Sequence, residues 1–401
     1  MPAPRRRHAI LAALLLGASM PALADVIGEP AEGCRVVAAG DKATAAPERD
    51  ASAFPPPQLQ VRTPLAPSAI PSAGRHYLIY ELHLQNFSDA PMALQRLDAV
   101  TEDAGAPVSL ASFQGDGLAS LLSVYGDHAA GSSDDAGVRL PAGGSAIAFL
   151  CLAFEDTTRL PARLSHRIGM PGSVAHGPTV DVSHAPLPVL APPVAGADWT
   201  VAGGPSNTSH HRRGPIVVDG VSRISRRFAI DWKRQVDGAP FEGDARDVRA
   251  YHAYGHEVLA VADARVVSVM DGLPDNVPRT ADGFSPAVPL TMDNIAGNHV
   301  ILDLGDGLFA YYAHLQPGSV AVKAGDRVGP GQVLGRIGNS GDAREPHLHF
   351  QLTDAPDILS AEGLPHAIDR YRIRSGSATY ERANELPVRG MRVDLEPAIR
   401  R

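Results

Sequence analysis

Val300-Ile301-Leu302-Asp303-Leu304-Gly305-Asp306-Gly307-Leu308-Phe309-Ala310-Tyr311-Tyr312-Ala313-His314-Leu315 is two apolar runs joined by Gly-Asp-Gly. Glycines there supply the positive φ of a tight turn, so the stretch predicts two β-strands and the reversal between them. Downstream, Glu345-Pro346-His347-Leu348-His349-Phe350-Gln351 alternates histidine with apolar residues. Side chains two apart on a strand share a face, so His347 and His349 can reach one metal ion or one substrate atom. Upstream, Arg227-Phe228-Ala229-Ile230-Asp231 reads as another strand, with a carboxylate at its end. Between these lie Gly325 to Gly329, Gly331 to Gly335 and Gly338 to Gly341, glycine-punctuated in the manner of a small, strongly curved β structure. Val258 to Ala262 and Val266 to Val269 read as a hairpin.

The 401 residues allow two domains. Glycine (39) and proline (35) are frequent, which favours turns and short strands over long helices. A formal charge of −8 leaves no basic face for phosphates, so no nucleic-acid partner is expected. Arg5, Arg6 and Arg7 precede a short apolar stretch and Ala22-Leu23-Ala24, the pattern of a secretory signal peptide over residues 1–24. The stretch is too short to span a bilayer. The mature chain is therefore expected to be periplasmic or secreted, with no integral membrane segment. Export permits a disulfide between Cys34 and Cys151; a pair of separate thiols is equally compatible with the sequence.

Residues 25–75 form a Pro-rich extended arm in this reading. Residues 76–185 alternate in short strands, as Tyr80, Leu82 and Leu84 do, and suggest a β-sandwich-like domain. Ala146 to Phe154 is apolar almost throughout and suits a strand buried on both faces. Residues 186–199 read as a proline-rich linker. Residues 200–375 form the second domain, and residues 376–401, polar and without period, a tail.

The strings GNHVILDLGDG (297–307), YYAHLQPGS (311–319), VKAGDRVGPGQVLGRIGNSG (322–341) and PHLHFQL (346–352) together resemble the lysostaphin-type, or LytM-type, peptidoglycan metalloendopeptidases. The resemblance spans roughly residues 215–355. It implies a compact antiparallel β sandwich-barrel, a duplicated hybrid motif, carrying a zinc ion that serves hydrolysis of stem or cross-bridge peptides in cell-wall peptidoglycan. It makes Asp231 and His349 metal ligands, and His314 and His347 catalytic histidines. Part of VKAGDRVGPGQVLGRIG also resembles biotinyl and lipoyl carrier domains, but Lys323 stands in the wrong part of the hairpin for a carrier lysine.

One position departs from the family pattern. The first ligand should be a histidine four residues before the aspartate, and Arg227 stands there. A guanidinium offers no lone pair to a metal. Either another histidine supplies the ligand, the candidates being His210, His211 and His252, or Arg227 pairs with Asp231 and the site is empty. The first outcome gives an exported zinc endopeptidase. The second gives a catalytically silent module that binds peptidoglycan or regulates a partner hydrolase.

Overall fold

A computed structural model describes residues 29–37, 54–103, 106–125, 133–134, 137–155, 159–278, 284, 286–376 and 378–397. The expected signal peptide lies outside these residues. The chain is mostly β, the fold class read from the sequence; Gly115–Leu121 is the one α-helix among the described residues. No helix among them is long and apolar enough to cross a membrane.

The first domain is built on the antiparallel pair Arg75–Asn86 and Ser145–Phe154. Leu59–Arg62 and Ala69–Ser72 add to the first strand, Leu122–Tyr125 and Arg35–Val37 to the second. A second sheet of Arg96–Asp103, Ala106–Gln114, Arg163–Met170 and Ser173–His176 completes the layer pair. Strand alternation assigns the two faces of Arg75–Asn86. Leu78, Tyr80, Leu82 and Leu84 fill the core with Leu97, Ala99 and Ile168. Tyr77 and Ile79 point the other way, into the core of the second domain. The first sheet is thus a middle layer, which is why Ser145–Phe154 is apolar and buried along nearly its whole length.

The second domain holds a twelve-stranded sheet. Ten strands run in the order Val189–Leu190, Ala367–Ser375, Arg392–Leu395, Gly196–Ala202, Ile230–Arg234, Leu348–Thr353, Leu308–Leu315, Asn298–Gly305, Ala264–Met270 and Arg327–Val328, and two more, Gly363–Leu364 and Ala378–Glu385, pair with Leu348–Thr353 and Ala367–Ser375. The Asn298–Gly305 and Leu308–Leu315 strands pair antiparallel about the glycine turn, as the sequence predicts. Ile230, Trp232, Leu348, Phe350 and Tyr312 line the core face. Alternation then sends Asp231 and His349 to the opposite face, and the register sets them directly across from each other.

Several sequence expectations change here. Residues 59–62 and 69–72 of the proline-rich arm are strands of the first domain. The proline-rich segment 186–199 is built into the second domain: Val189–Leu190 pairs with Ala367 and Ile368, and residues 190–194 are buried. Proline there fits an edge strand and a turn, not only a spacer. The polar tail is also sheet: Ala378–Glu385 pairs with Ala367–Ser375, and Arg392–Leu395 lies between Ala367–Ser375 and Gly196–Ala202. The hairpin partners expected near Val258 separate. Glu257–Leu259 pairs with Val333–Arg336, and Ala264–Met270 pairs with Asn298–Gly305. Cys34 and Cys151 are joined in a disulfide.

Candidate metal centre

Asp231 projects from the Ile230–Arg234 strand and His349 from the strand beside it, with His349 Nδ1 3.0 Å from Asp231 Oδ1. His347, two residues earlier on the same face, places Nε2 3.4 Å from the same oxygen. His211 comes from the loop after Gly196–Ala202 and places its Nε2 3.4 Å from it as well. His211 and His349 meet edge to face, ring centroids 4.8 Å apart. All four side chains are buried.

His314 reaches this face by a backbone irregularity. Ala313 lies opposite His349, so strict alternation would turn His314 toward the core with Tyr312. Asn298 pairs with Leu315 and Val300 with Tyr312, so the His314 strand carries one residue more than its partner over this interval. This is a β-bulge, and His314 takes φ +67° in it. A left-handed backbone at a non-glycine residue is costly and clusters at functional sites. It turns the His314 ring to within 5.0 Å of His347 and 5.8 Å of His349, centroid to centroid.

The hydrogen bonds fix the ring tautomers. A carbonyl oxygen only accepts, so each ring nitrogen facing one must carry the proton. His211 Nδ1 donates to Gly203 O (2.9 Å), His347 Nδ1 to Glu345 O (2.7 Å) and His314 Nδ1 to Ser340 O (2.9 Å). His349 is held at both ring nitrogens, Nε2 by Gln351 Oε1 (2.8 Å) and Nδ1 by Asp231 Oδ1 (3.0 Å). The opposite nitrogens of His211 and His347 stand 3.4 Å from Asp231 Oδ1, and His349 Nδ1 hydrogen-bonds that oxygen at 3.0 Å. Three ring nitrogens around one carboxylate oxygen are donor types suited to a cation. Metal-ligating histidines are oriented in this way by their second nitrogen.

Burial pushes His211 down to about 3, so it is neutral at neutral pH with its lone pair free. Burial, reinforced by His347 and His349, holds His314 well below its ordinary value. Burial alone would raise Asp231; His211, His347 and the hydrogen bond from His349 outweigh it and hold the carboxyl well below its usual range. Two imidazole nitrogens and a carboxylate suit zinc. Two ligands about 2.0–2.1 Å from a tetrahedral zinc stand roughly 3.4 Å apart, close to the 3.4 Å and 3.0 Å from Asp231 Oδ1 to His211 and His349. The residues present therefore fit the metal that the resemblance implies.

Of the three substitute ligands weighed from sequence, His211 faces Asp231. His210 is exposed, its ring 4.1 Å from that of His211 at the mouth of the cleft, and its ligand atom lies within 4.8 Å of those of His211 and Asp231. His252 is not a member of this cluster; it is half-buried, and its backbone N–H bonds Pro240 O. The expected alternative pairing of Arg227 with Asp231 is not what forms. Arg227 Nε donates to Glu81 Oε2 (2.8 Å) and Nη1 to Glu362 Oε2 (2.9 Å), because the buried Glu81 and the part-buried Glu362, both outside the cleft, satisfy its charge. Gly203 and Gln351 escaped sequence reading. Gly203 takes φ +57°, and a Cβ there would lie 2.7 Å from His211 Cε1 and 2.8 Å from Asp231 Oδ2. The glycine pair after an alternating strand was the available signal for the first, and the i+2 spacing from His349 for the second.

The cluster opens into a cleft of about 300 Å³, rimmed by Arg226, Lys233, Arg344, Glu345, Ile358 and Leu359. Lys233 pairs with Glu345 across it.

A buried histidine–carboxylate centre on one face of an antiparallel sheet, beside two further histidines, carries the donor types of a metal site. Residues 247–358 match the peptidase family M23, in line with the resemblance to its lysostaphin or LytM type. The match begins beyond Asp231 and so excludes both it and His211. The chain is 34% identical over 80 residues to peptidoglycan DD-endopeptidase ShyA of Vibrio cholerae serotype O1, 20% of this chain and 18% of that protein. It is 40% identical over 62 residues to cell division protein DipM of Caulobacter vibrioides, 16% of this chain and 10% of that one. The matched segments thus span less than a fifth of either relative. Among solved structures, the catalytic domain of lysostaphin from Staphylococcus simulans aligns at 21% identity and TM-score 0.23, over 42% of this chain and 88% of that domain.

Proposed function

We propose that this protein is an exported, zinc-dependent endopeptidase that hydrolyses peptide bonds in the stem or cross-bridge peptides of cell-wall peptidoglycan. The observation that carries the reading is His211. It supplies the third protein donor at Asp231, the one that Arg227 cannot supply. The peptidase family of the C-terminal domain and the peptidoglycan endopeptidase among the relatives support the substrate class.

His211, Asp231 and His349 would hold the metal. Bound zinc supplies Lewis acidity, polarising a scissile carbonyl and making water acidic enough to attack near neutral pH. The chain's own residues manage the protons. His314 and His347 each donate Nδ1–H to a backbone carbonyl, which fixes ring orientation and leaves Nε2 as a base. Such a nitrogen can take the proton of an attacking water and become a donor to the developing oxyanion. It then returns the proton to the leaving amine as the peptide C–N bond breaks. The rims of the cleft carry both charges and apolar side chains, suited to a peptide with ionised groups.

The alternative, a silent binding or regulatory module, drew its support from a cation beside the metal site. Arg227 is engaged by Glu81 and Glu362 instead, which removes that support. The test is zymography on purified sacculi with parallel metal analysis. His314→Ala and His347→Ala are expected to lose turnover at least about a hundredfold while keeping most zinc; His211→Ala and His349→Ala are expected to lose the metal. Equal activity in all four variants would discard these roles.

A further inference from the structure

Of the three proposed ligands, His211 is the one that no strand carries. Its loop is gripped mainly from the other domain. Arg212, fully buried, diverges from its neighbour: His211 turns to Asp231, Arg212 to the domain interface. Arg212 Nε donates to Glu81 Oε1 (2.7 Å), and Nη2 donates to Tyr80 O (2.6 Å) and Leu150 O (2.7 Å). All three acceptors lie on the central strand pair of the first domain. The remaining donor, Nη1, bonds Asn207 Oδ1 within the loop (2.6 Å). Arg213 adds a bond from Nη2 to Ser120 O (2.7 Å) and lies over the Phe149 ring. Asn207 N donates to Glu32 O (2.8 Å), on the segment that the Cys34–Cys151 disulfide ties to the same strand pair.

Glu81 lies on the face of its strand opposite Leu82, toward the second domain. Its two oxygens are divided, one to Arg212 and one to Arg227. A single buried carboxylate therefore seats the loop that bears His211 and draws off the arginine that stands in the first ligand's place.

Building on the donor set proposed above, we propose that the first domain is the positioning element of the metal centre, with Glu81 its positioning residue. Zinc affinity is then set across the domain interface, and the first domain is needed for a complete site. A groove-binding or scaffold role is not required to explain its presence.

The test measures zinc dissociation constants of full-length variants by chelator competition, with the d–d spectrum of the cobalt-loaded protein as the readout of coordination. Glu81→Gln is expected to weaken zinc binding about ten- to a hundredfold, the range for residues that orient ligands, and to change the cobalt spectrum. Leu82→Ala, which loosens the first domain from its other face, is expected to leave both unchanged in the folded protein. Asn207→Ala removes only one acceptor of Arg212; it should weaken zinc severalfold and serves if Glu81→Gln does not fold. Wild-type affinity in Glu81→Gln and Asn207→Ala, with loss in His211→Ala, would overturn the positioning role and leave the donor set standing. Equal weakening by Leu82→Ala would reduce the effect to general instability and overturn it too. Unchanged affinity in His211→Ala would overturn the donor set and this inference with it.

Discussion

Three imidazoles and a carboxylate converge here because each ring is held at its far nitrogen. Remove a holder and the ring is free to turn; fill the space beside it and the ring must move. Gly203 does both jobs, accepting from His211 Nδ1 and leaving room where a side chain would stand. Gly203→Ala puts a methyl within 2.7 Å of His211 Cε1 and imposes a left-handed φ on alanine. We expect zinc affinity to fall about tenfold or more, read by chelator competition, with the far-ultraviolet circular dichroism of the wild type retained. Unchanged affinity would mean that His211 does not hold the metal in this pose. His347 and His349 were legible as a same-face pair from strand alternation, whereas the place of Asp231 beside them was implied only by the family resemblance. His211 was legible only as one of three candidates, since nothing local says which way a polar loop folds back.

At the scale of elements, most of the second domain was readable from apolar alternation and glycine turns. What escaped reading had no such signal. Ala378–Glu385 is an edge strand with one face exposed and the other only half-buried and in part polar, so its sequence has no apolar period. Arg392–Leu395 is four residues long, too short for a pattern. The latter nevertheless lies inside the sheet, next to the Gly196–Ala202 strand that leads into Gly203. Leu386, Val388, Val393 and Leu395 are all buried in the core shared by the two domains. A chain ending at residue 376 is expected to lose its cooperative thermal transition or to aggregate, because it exposes that core and an unpaired strand edge. A melt like that of the full chain would show these strands to be dispensable. The bulge at His314 was equally hidden: the sequence predicted a strand there, and only the extra residue in the pairing turns the ring to the cleft.

Across the whole molecule, the first domain contributes charge and stability rather than cleft-lining side chains. Its sheet lends Glu81 to two arginines, and burial that would push this carboxyl up is outweighed by Arg227 and Arg212, which hold it below its ordinary value. The same domain carries a pH-dependent weakness. His166 is buried against Tyr80, its Nε2 2.8 Å from the phenol oxygen, and burial pushes it down to about 3. The unfolded chain binds a proton there near 6.5 while the native state does not. Stability therefore rises with pH between about 3 and 6.5 and is lost on acidification through that window, by about 1.4 kcal/mol per unit from this one group. Denaturant melts of metal-free protein at pH 7 and pH 5 are expected to show a smaller difference for His166→Gln than for the wild type. An identical difference would mean that His166 is solvated or protonated in the fold.

The account turns on whether a loop histidine has taken over the corner that an arginine vacated. Zinc per chain, measured on wild-type protein and on His211→Ala purified at neutral pH under metal-replete conditions, tests this most directly. We predict about one equivalent in the wild type and a large loss in the variant. A wild type without zinc, or a variant that keeps its full equivalent with equal affinity, would contradict the account.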